Sequence, residues 1–465
     1  MKSKVTLFAL ASMLASHTFA ESFSAEDLNH RTIERRAVEA VIWGIPAVNF
    51  DRMLQAAIQN GGAANQVIYW SRPVNSKNQT LTPNPDTIYF NPFYDTTNGP
   101  MVLEIPPAEG DSSITGSVDD AWQNALEDVG PAGVDKGKGG KYLITPPGHD
   151  EKAPPGYIVL PSDTYQGFVI LRSNFKSGSD PDIAAAVAYG KRIKFYPLNG
   201  KPDETVFADA YAKVYDATIP YDARFFESLH RFVQVEPWLT RDKGMIDMLK
   251  TIGIEKGRPF NPDANTRSIF DAAAREARAY IDAQYEANFN SPFVEGTHWA
   301  VPSSKEVLDG MATTFADPNS YPIDGRAAIY AAVYFSARHL GAGQFYLMTL
   351  KDKDGLPFDG KKTYRLTVPP NAPVKLYWSA TAYDRQTHAL IRDTSRSSRA
   401  SNSPDVQKNA DGSVDIYFGP KAPDGKESNW VPTAGRNFEV LFRLYGPEKP
   451  FFEKTWKLSD IEELK

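Results

Sequence analysis

The sequence predicts a mainly β protein with a helical insert, in the order β-sandwich, helical middle domain, and second β-sandwich or jelly roll. Its 465 residues exceed what one hydrophobic core usually organises, which favours roughly two or three domains. With 42% hydrophobic and 23% charged residues, the composition is that of an ordered globular protein. Short β-branched and aromatic runs, which predict strands, occur in the first and last thirds of the chain, and longer amphipathic stretches, which predict helices, lie between them. This succession gives the predicted order of the domains.

The N-terminus has the pattern of a secretory signal peptide. Lys2 and Lys4 precede an apolar run from Val5 to Leu14, and a small-residue cleavage site ends at Ala20. The apolar run is too short to cross a bilayer. We therefore expect residues 1–20 to be a signal peptide and the mature protein to be periplasmic or secreted. The chain has no cysteine, so neither disulfides nor thiol chemistry are available to it.

After the signal peptide, residues 21–60 have a helical pattern. Gly44 and Pro46 interrupt it, so the pattern fits two helices or one kinked helix. Residues 61–195 consist of short strand-like runs separated by Pro and Gly, for example Val67–Trp70 and Met101–Ile105. That spacing is typical of an antiparallel sandwich.

Residues 196–342 form the predicted helical domain, although its first helical pattern begins slightly earlier. The helical patterns cover 183–194, 204–215, 222–235, 241–252, 264–287 and 324–340. Residues 343–465 return to strand-like runs at 345–350, 363–368, 374–380, 414–418 and 438–445. A second sandwich or jelly roll is the simplest way to close this last domain.

Charge and hydropathy exclude two classes of partner. The formal net charge of −6 becomes −8 once Lys2 and Lys4 are removed with the signal peptide. A mildly acidic chain whose only basic cluster is Arg392–Arg399 is not expected to bind nucleic acid. The best internal candidate for a membrane span, Ala331–Met348, is interrupted by Arg338 and His339, so no membrane insertion is expected.

Several segments interleave polar side chains with aromatic rings, which suits a polar ring-shaped ligand because stacking supplies area and amides or carboxylates supply direction. As acid/base residues we predict Asp86 and Asp384. As substrate-binding residues we predict Asn84, Tyr89, Arg172, Trp378, Tyr383, Asn429, Trp430 and Arg443. The competing interpretation is that Asn and Asp cap turns while Trp and Tyr fill a core.

The histidines give no metal signal. The chain has 7 histidines, and none forms an H-x-H or H-x-x-x-H pair. No metal ligands are therefore predicted, and the sequence leaves any cofactor unknown. A catalytic or ligand role for His298 or His388 stays open, because spatial neighbours cannot be read from sequence.

Long motifs occur in a fixed order along nearly the whole mature chain: Thr82–Tyr89, Gly130–Pro147 (GPAGVDKGKGGKYLITPP), Tyr377–Asp384, Asp411–Pro420 (DGSVDIYFGP) and Asn429-Trp430. In these the chain resembles proteins that pair domain of unknown function 1254, N-terminal, with domain of unknown function 1214, C-terminal. The resemblance implies an immunoglobulin-like sandwich at 61–195 and a jelly roll at 343–465, and it implies no activity. Many relatives carry Asn-Pro after the Tyr-Asp motif, and this chain does not.

We therefore predict an enzyme or binding protein for a polar or carbohydrate-like small molecule, with its site where the two β-domains meet. The alternative is a structural or interaction protein that forms homo-oligomers through an apolar helix such as Asp324–Leu340. The first hypothesis requires Asp86, Asp384 and Arg443 to converge on one concave surface.

Overall fold

A computed structural model describes residues 23–334, 336–339 and 343–465; the predicted signal peptide at 1–20 lies outside the described residues. The protein is mainly β, with about 28% helix and several sheets. The α-helices are α1 Ala25–Gln59, α2 Asp180–Gly190, α3 Ala223–Val235, α4 Lys243–Leu249, α5 Ala264–Ala287, α6 Lys305–Ala312, α7 Ile323–Tyr330 and α8 Lys449–Phe452. In the described part of the chain, no helix is long and apolar enough to cross a membrane.

The N-terminal β-unit contains a six-stranded sheet, a four-stranded sheet and a two-stranded sheet formed by its second and last strands. Its strands are β1 Gln66–Tyr69, β2 Asn78–Gln79, β3 Ile88–Asp95, β4 Met101–Ile105, β5 Ile114–Asp120, β6 Ala125–Val129, β7 Gly140–Thr145, β8 Tyr157–Pro161, β9 Gln166–Ser173, β10 Lys194–Pro197, β11 Phe207–Asp209 and β12 Tyr215–Asp216. The larger sheet has the order β11-β1-β3-β9-β5-β6, and the smaller has the order β10-β4-β7-β8. A core that includes Phe90, Leu103 and Leu171 joins them.

The C-terminal β-unit contains two four-stranded sheets. Its strands are β13 Gln344–Thr349, β14 Thr363–Val368, β15 Trp378–Asp384, β16 Ser398–Ala400, β17 Val414–Gly419, β18 Trp430–Pro432, β19 Phe438–Tyr445 and β20 Glu462–Leu464. The sheet orders are β13-β19-β15-β16 and β18-β17-β14-β20. Leu366, Phe418 and Phe442 belong to the core that they share.

Helices α1 and α3 to α7 pack against the outer faces of the six-stranded sheet and of the β13 sheet. One apolar cluster contains Phe50 of α1, Ile170 of β9 and Leu441 of β19, so it joins the helices to both β-units. Helix α1 is a single helix that begins after the N-cap Ser24 and contains Pro46. The six-stranded sheet and the β13 sheet are consequently covered on both faces, by their own partner sheets on one side and by helices on the other.

Three expectations differ from the structure. The helical pattern at 204–215 is wrong: Phe207–Asp209 is a strand that pairs in parallel with β1, because pairing to a sheet edge outweighs a weak helical period. The expected helix at 324–340 ends at Tyr330. The sheets are also not purely antiparallel, since β7 pairs in parallel with β8 and β17 in parallel with β18.

Candidate functional site

A cavity of about 170 Å³ lies between the outer faces of the six-stranded sheet and the β13 sheet. The N-terminal unit contributes Tyr89 and Asn91 from β3 and Arg172 from β9, and the C-terminal unit contributes Arg443 from β19. Helices α6 and α7 and the residues around them close the remaining sides, with Ser303, Leu308, Met311, Ile329, Val333 and Tyr334 in the wall. The cavity is thus a product of the docking of the two β-units.

The two-residue period of a strand explains why both arginines face this cavity. In β9, Val169 and Leu171 point into the N-terminal core, so Arg172 points to the opposite face. In β19, Phe442 and Leu444 point into the C-terminal core, so Arg443 also points outward from its own sandwich. The outward faces of both sheets meet at the cavity.

Arg443 is 2% exposed and is held by oxygen acceptors from both units. Its Nη1 donates to Thr381 Oγ1 at 2.9 Å, and its Nη2 donates to the carbonyl oxygen of Thr82 at 2.9 Å and to the hydroxyl of Tyr383. Burial opposes its charge, but the surrounding tyrosine oxygens more than compensate, so the pKa of Arg443 lies above its ordinary value. The guanidinium is therefore a permanent buried cation.

Arg172 is 4% exposed and lies over the ring of Tyr89, with its guanidinium carbon 5.5 Å from the ring centre. Burial opposes its charge too, and the oxygens of Tyr346, Tyr89 and Tyr445 again hold its pKa above the ordinary value. Tyr89, Tyr346 and Tyr445 act on both guanidinium groups. The two cations consequently lie at one end of the cavity.

No Asp or Glu occurs among the described residues that line the cavity. Asp86 is not part of the lining but interacts electrostatically with Arg443. The Ser398 hydroxyl is 2.7 and 2.8 Å from the two carboxylate oxygens of Asp86. Burial raises the pKa of Asp86 in spite of this hydrogen bonding and of the nearby Arg443 and Arg399. The cavity itself is therefore cationic at one end.

A short segment, residues 79–86, joins the two β-units next to the cavity. Thr82 donates its backbone N–H to the carbonyl oxygen of His388 at 2.7 Å, and Asn84 donates from Nδ2 to the hydroxyl of Tyr445 at 2.7 Å. The hydroxyl of Tyr383 donates to the carbonyl oxygen of Pro83 at 2.6 Å. Thr82 has a φ of 38°, a left-handed value that costs energy in a non-glycine residue. These contacts hold the segment against the C-terminal sheet.

The predicted site residues fall into three groups. Tyr89, Arg172 and Arg443 line the cavity. Asn84, Asp86 and Tyr383 do not line the cavity. Asn84 and Asp86 belong to the 79–86 segment, and Tyr383 contacts it. The remaining four, Trp378, Asn429, Trp430 and Asp384, lie elsewhere.

Trp378, Asn429 and Trp430 make contacts within the C-terminal unit. Trp378 packs in the core, with its ring 5.5 Å from that of Phe442. Asn429 makes hydrogen bonds of 2.8 to 2.9 Å to the backbone of neighbouring loops and strands. Trp430 donates its indole N–H to the carbonyl oxygen of Gly419 at 2.9 Å. The structure thus does not bring these three residues to the cavity.

Asp384 is the last residue of β15 and lies in an open surface depression, away from the cavity. Its Oδ2 accepts a hydrogen bond from Arg436 at 3.2 Å, and Arg278, Asp282 and Glu286 line the same depression. Asp86 and Asp384 are therefore not neighbours across a single cleft, and the expected convergence of both carboxylates with Arg443 does not occur.

Sequence reasoning missed Asn91, Ser303, Tyr334 and Tyr346, which all line the cavity. A signal for Asn91 existed, because an asparagine two residues after Tyr89 in a strand of apolar residues shares the face of Tyr89. The other three residues had no comparable signal. Among the described residues, no cluster of three or more His, Asp or Glu side chains could hold a metal ion.

Two family models match the chain in the expected order. A protein family of unknown function, DUF1254, matches residues 64–197, and a second, DUF1214, matches residues 343–449. The cavity takes Arg172 from the first matched region and Arg443 from the second. Comparison with curated proteins gives no match.

Comparison with solved structures gives a similar fold for a protein from Vibrio parahaemolyticus. The VPA0106 protein from Vibrio parahaemolyticus is 17% identical, with a TM-score of 0.56 over 93% of this chain and 100% of that chain. An uncharacterized protein from Burkholderia cenocepacia is 10% identical, with a TM-score of 0.43 over 94% of this chain and 96% of that chain. At these identities the similarity to the Vibrio protein concerns the fold alone.

Proposed function

We propose that this chain, which belongs to the proteins that pair DUF1254 with DUF1214, binds a small molecule with one anionic group and an apolar body in the cavity between its two β-units. The observation that carries the proposal is the pair of buried guanidinium groups, Arg172 and Arg443, in a cavity whose described lining has no carboxylate. The surrounding tyrosine oxygens keep both groups charged. A bound anion would accept charge-assisted hydrogen bonds from these guanidinium groups, which are stronger than hydrogen bonds between neutral groups.

The distribution of polarity favours one anionic group. Both cations share the tyrosines at one end of the cavity. The apolar side chains in the rest of the lining include Leu308, Met311, Ile329, Val333, Met348 and Leu441. A carbohydrate would need hydrogen-bond partners around its whole ring, which such walls do not supply. A ligand with a carboxylate on an apolar body matches the cavity, because the carboxylate pairs with the two arginines and the apolar body contacts the apolar walls.

The size of the cavity sets the size of the ligand. An apolar cavity of about 150 Å³ in another protein accommodates benzene, and this cavity measures about 170 Å³. Benzoate is therefore a suitable first probe, and benzamide is its neutral counterpart of the same shape. The proposal concerns binding and does not extend to catalysis, because neither Asp86 nor Asp384 lines the cavity.

The test measures binding by calorimetry and by the shift in melting temperature, since a ligand of the native state raises that temperature. Benzoate should bind and benzamide should not. Replacing Arg443 with Met should weaken benzoate binding by roughly 2–5 kcal/mol, the cost of removing one partner of a buried charge pair. Equal responses to benzoate and benzamide would contradict the proposal.

A matched control is available in α7. Arg326 is also 2% exposed, but it binds Asn124 and the carbonyl oxygen of Trp122 away from the cavity. Arg326→Met should cost stability and keep benzoate affinity. Leu308→Phe tests the same site without touching a charge, because the larger ring fills the cavity. This variant should lose benzoate binding while keeping the native circular dichroism spectrum.

The proposal also includes export and the finer fold assignment. Residues 1–20 act as a signal peptide, so the mature protein begins at Glu21 and lies in the periplasm or outside the cell. The predicted immunoglobulin-like sandwich at 61–195 is extended by β10 to β12, the helical domain fills the rest of 196–342, and residues 343–465 form a jelly roll. N-terminal sequencing of the exported protein tests the cleavage site, and a mature chain that still begins at Met1 would contradict export through this signal.

A further inference from the structure

Three polar atoms in the cavity wall have no hydrogen-bond partner among the described residues: the side-chain oxygen of Asn91, the hydroxyl of Tyr334 and the hydroxyl of the partly exposed Ser303. Asn91 is 4% exposed and Tyr334 is 2% exposed, and both line the cavity. Leaving such groups unpaired in a protein interior costs stability, so each calls for a partner. The cavity is where that partner can be.

Both side chains are held in place by the elements around them. Asn91 is in the middle of β3, opposite Ile68 of β1 in the sheet register. The ring of Tyr334 stacks on Phe168, with ring centres 4.3 Å apart. The sheet fixes the backbone of Asn91 and therefore the face that its side chain occupies, and the stack fixes the ring of Tyr334. They are therefore fixed features of the wall.

The register of the sheet gives the spacing along β3 between Asn91 and the cationic end. Tyr89 is opposite Arg172, and Asn91 lies two residues further along β3 on the same face. Two residues of a strand span about 7 Å. That distance suits a ligand whose carboxylate and second polar group are on opposite sides of a six-membered ring.

We infer that the ligand of this cavity is a hydroxylated monocarboxylate, with the hydroxyl across a ring-sized apolar body from the carboxylate. A hydroxyl both donates and accepts, so it can donate to the side-chain oxygen of Asn91 and accept from the hydroxyl of Tyr334. Arg172 and Arg443 hold the carboxylate. This inference rests on the proposed function, since it assigns the second polar group of the same ligand.

The experiment compares 4-hydroxybenzoate with 4-methylbenzoate by calorimetry, because the two acids have nearly the same shape and differ in the hydroxyl. The full-length mature protein should bind the hydroxylated acid roughly 10- to 100-fold more tightly, the factor expected when a hydroxyl satisfies otherwise unpaired buried groups. Equal affinities would overturn the inference. They are also the result expected if a buried water satisfies Asn91 and Tyr334.

Two conservative variants locate the effect. Asn91→Leu and Tyr334→Phe remove the unpaired polar atoms and keep nearly the same volume, so both should fold, as circular dichroism checks. Each should abolish most of the preference for the hydroxylated acid, measured as the ratio of the two affinities in the same variant. A preference that survives in both variants would overturn the assignment.

The two proposals fail in different ways. Binding of both acids with no preference, and loss of both in Arg443→Met, would overturn the hydroxyl assignment and leave the anion site standing. No binding of either acid to the native protein would overturn both proposals.

Discussion

Glu236, at the C-terminal end of α3, should make the protein less stable as the pH rises from mildly acidic to mildly alkaline values. The residue is 2% exposed, and its two carboxylate oxygens accept backbone N–H groups of Tyr165 at 2.7 Å and Gln166 at 3.0 Å. Burial nevertheless raises its pKa from 4.5 to about 8, and the nearby carboxylates of Asp120 and Asp95 add to the effect. Desolvation outweighs the two hydrogen bonds.

The sign of the effect follows from proton linkage. The folded state holds the proton of Glu236 more tightly than the unfolded chain does, so the protonated group contributes stability fully below pH 4.5. That contribution is lost as the pH rises to about 8. A pKa difference of about 3.5 corresponds to about 5 kcal/mol over the whole range, of which about 4 kcal/mol falls between about pH 5 and about pH 9.

The assay is urea unfolding, followed by tryptophan fluorescence, at several pH values between these limits. Glu236→Gln is the control variant, because its amide does not titrate. It should lose a constant amount of stability, since the amide places an N–H₂ group against a backbone N–H. The free energy of unfolding of the native protein minus that of the variant should fall by about 4 kcal/mol as the pH rises. A difference that stays constant or grows would refute the reasoning.

Three further predictions concern stability, measured by urea unfolding. In Gly116→Ala the new Cβ would lie 1.9 Å from the carbonyl oxygen of Ile170, so we expect a loss of at least about 2 kcal/mol, whereas Gly244→Ala, with open space around it in α4, should be neutral or gain up to about 1 kcal/mol. Asn429→Ala removes three hydrogen bonds and should cost about 2–3 kcal/mol with benzoate affinity unchanged. Asp384→Asn removes an ion pair with a half-exposed arginine and should cost about 1 kcal/mol or less, again without affecting benzoate binding by calorimetry.

The sequence predicts elements best where local signals agree. The helix expected at 264–287 is observed with those bounds, because Asp263 caps it by accepting the N–H of Thr266 and one face is apolar throughout. The pattern at 204–215 also follows an aspartate, Asp203, but edge pairing with β1 decides its structure. Pairing partners distant in sequence are not visible in a local pattern.

The candidate site is harder to predict for a different physical reason. All seven residues of β15 and all eight of β19 are buried, because each strand has a partner sheet on one face and helices on the other. The alternation that normally marks the inward face is therefore missing. Trp378 and Arg443 have similar sequence contexts, yet Trp378 fills the C-terminal core and Arg443 faces the cavity. The sequence indicates which segments lie near the candidate site, but it does not indicate which side chains of those segments face the cavity.

The contacts of Arg443 link ligand binding to the docking of the two β-units. Arg443 belongs to the C-terminal unit, while the carbonyl oxygens of Thr82 and Pro83 that it binds belong to the segment that follows the first strands of the N-terminal unit. Arg172 reaches the same cavity from the N-terminal sheet. Because the cavity exists only while the units are docked, an anion held by both arginines stabilises the docked state by the free energy of its binding. Affinity for the anion and resistance to separation of the units must therefore change together.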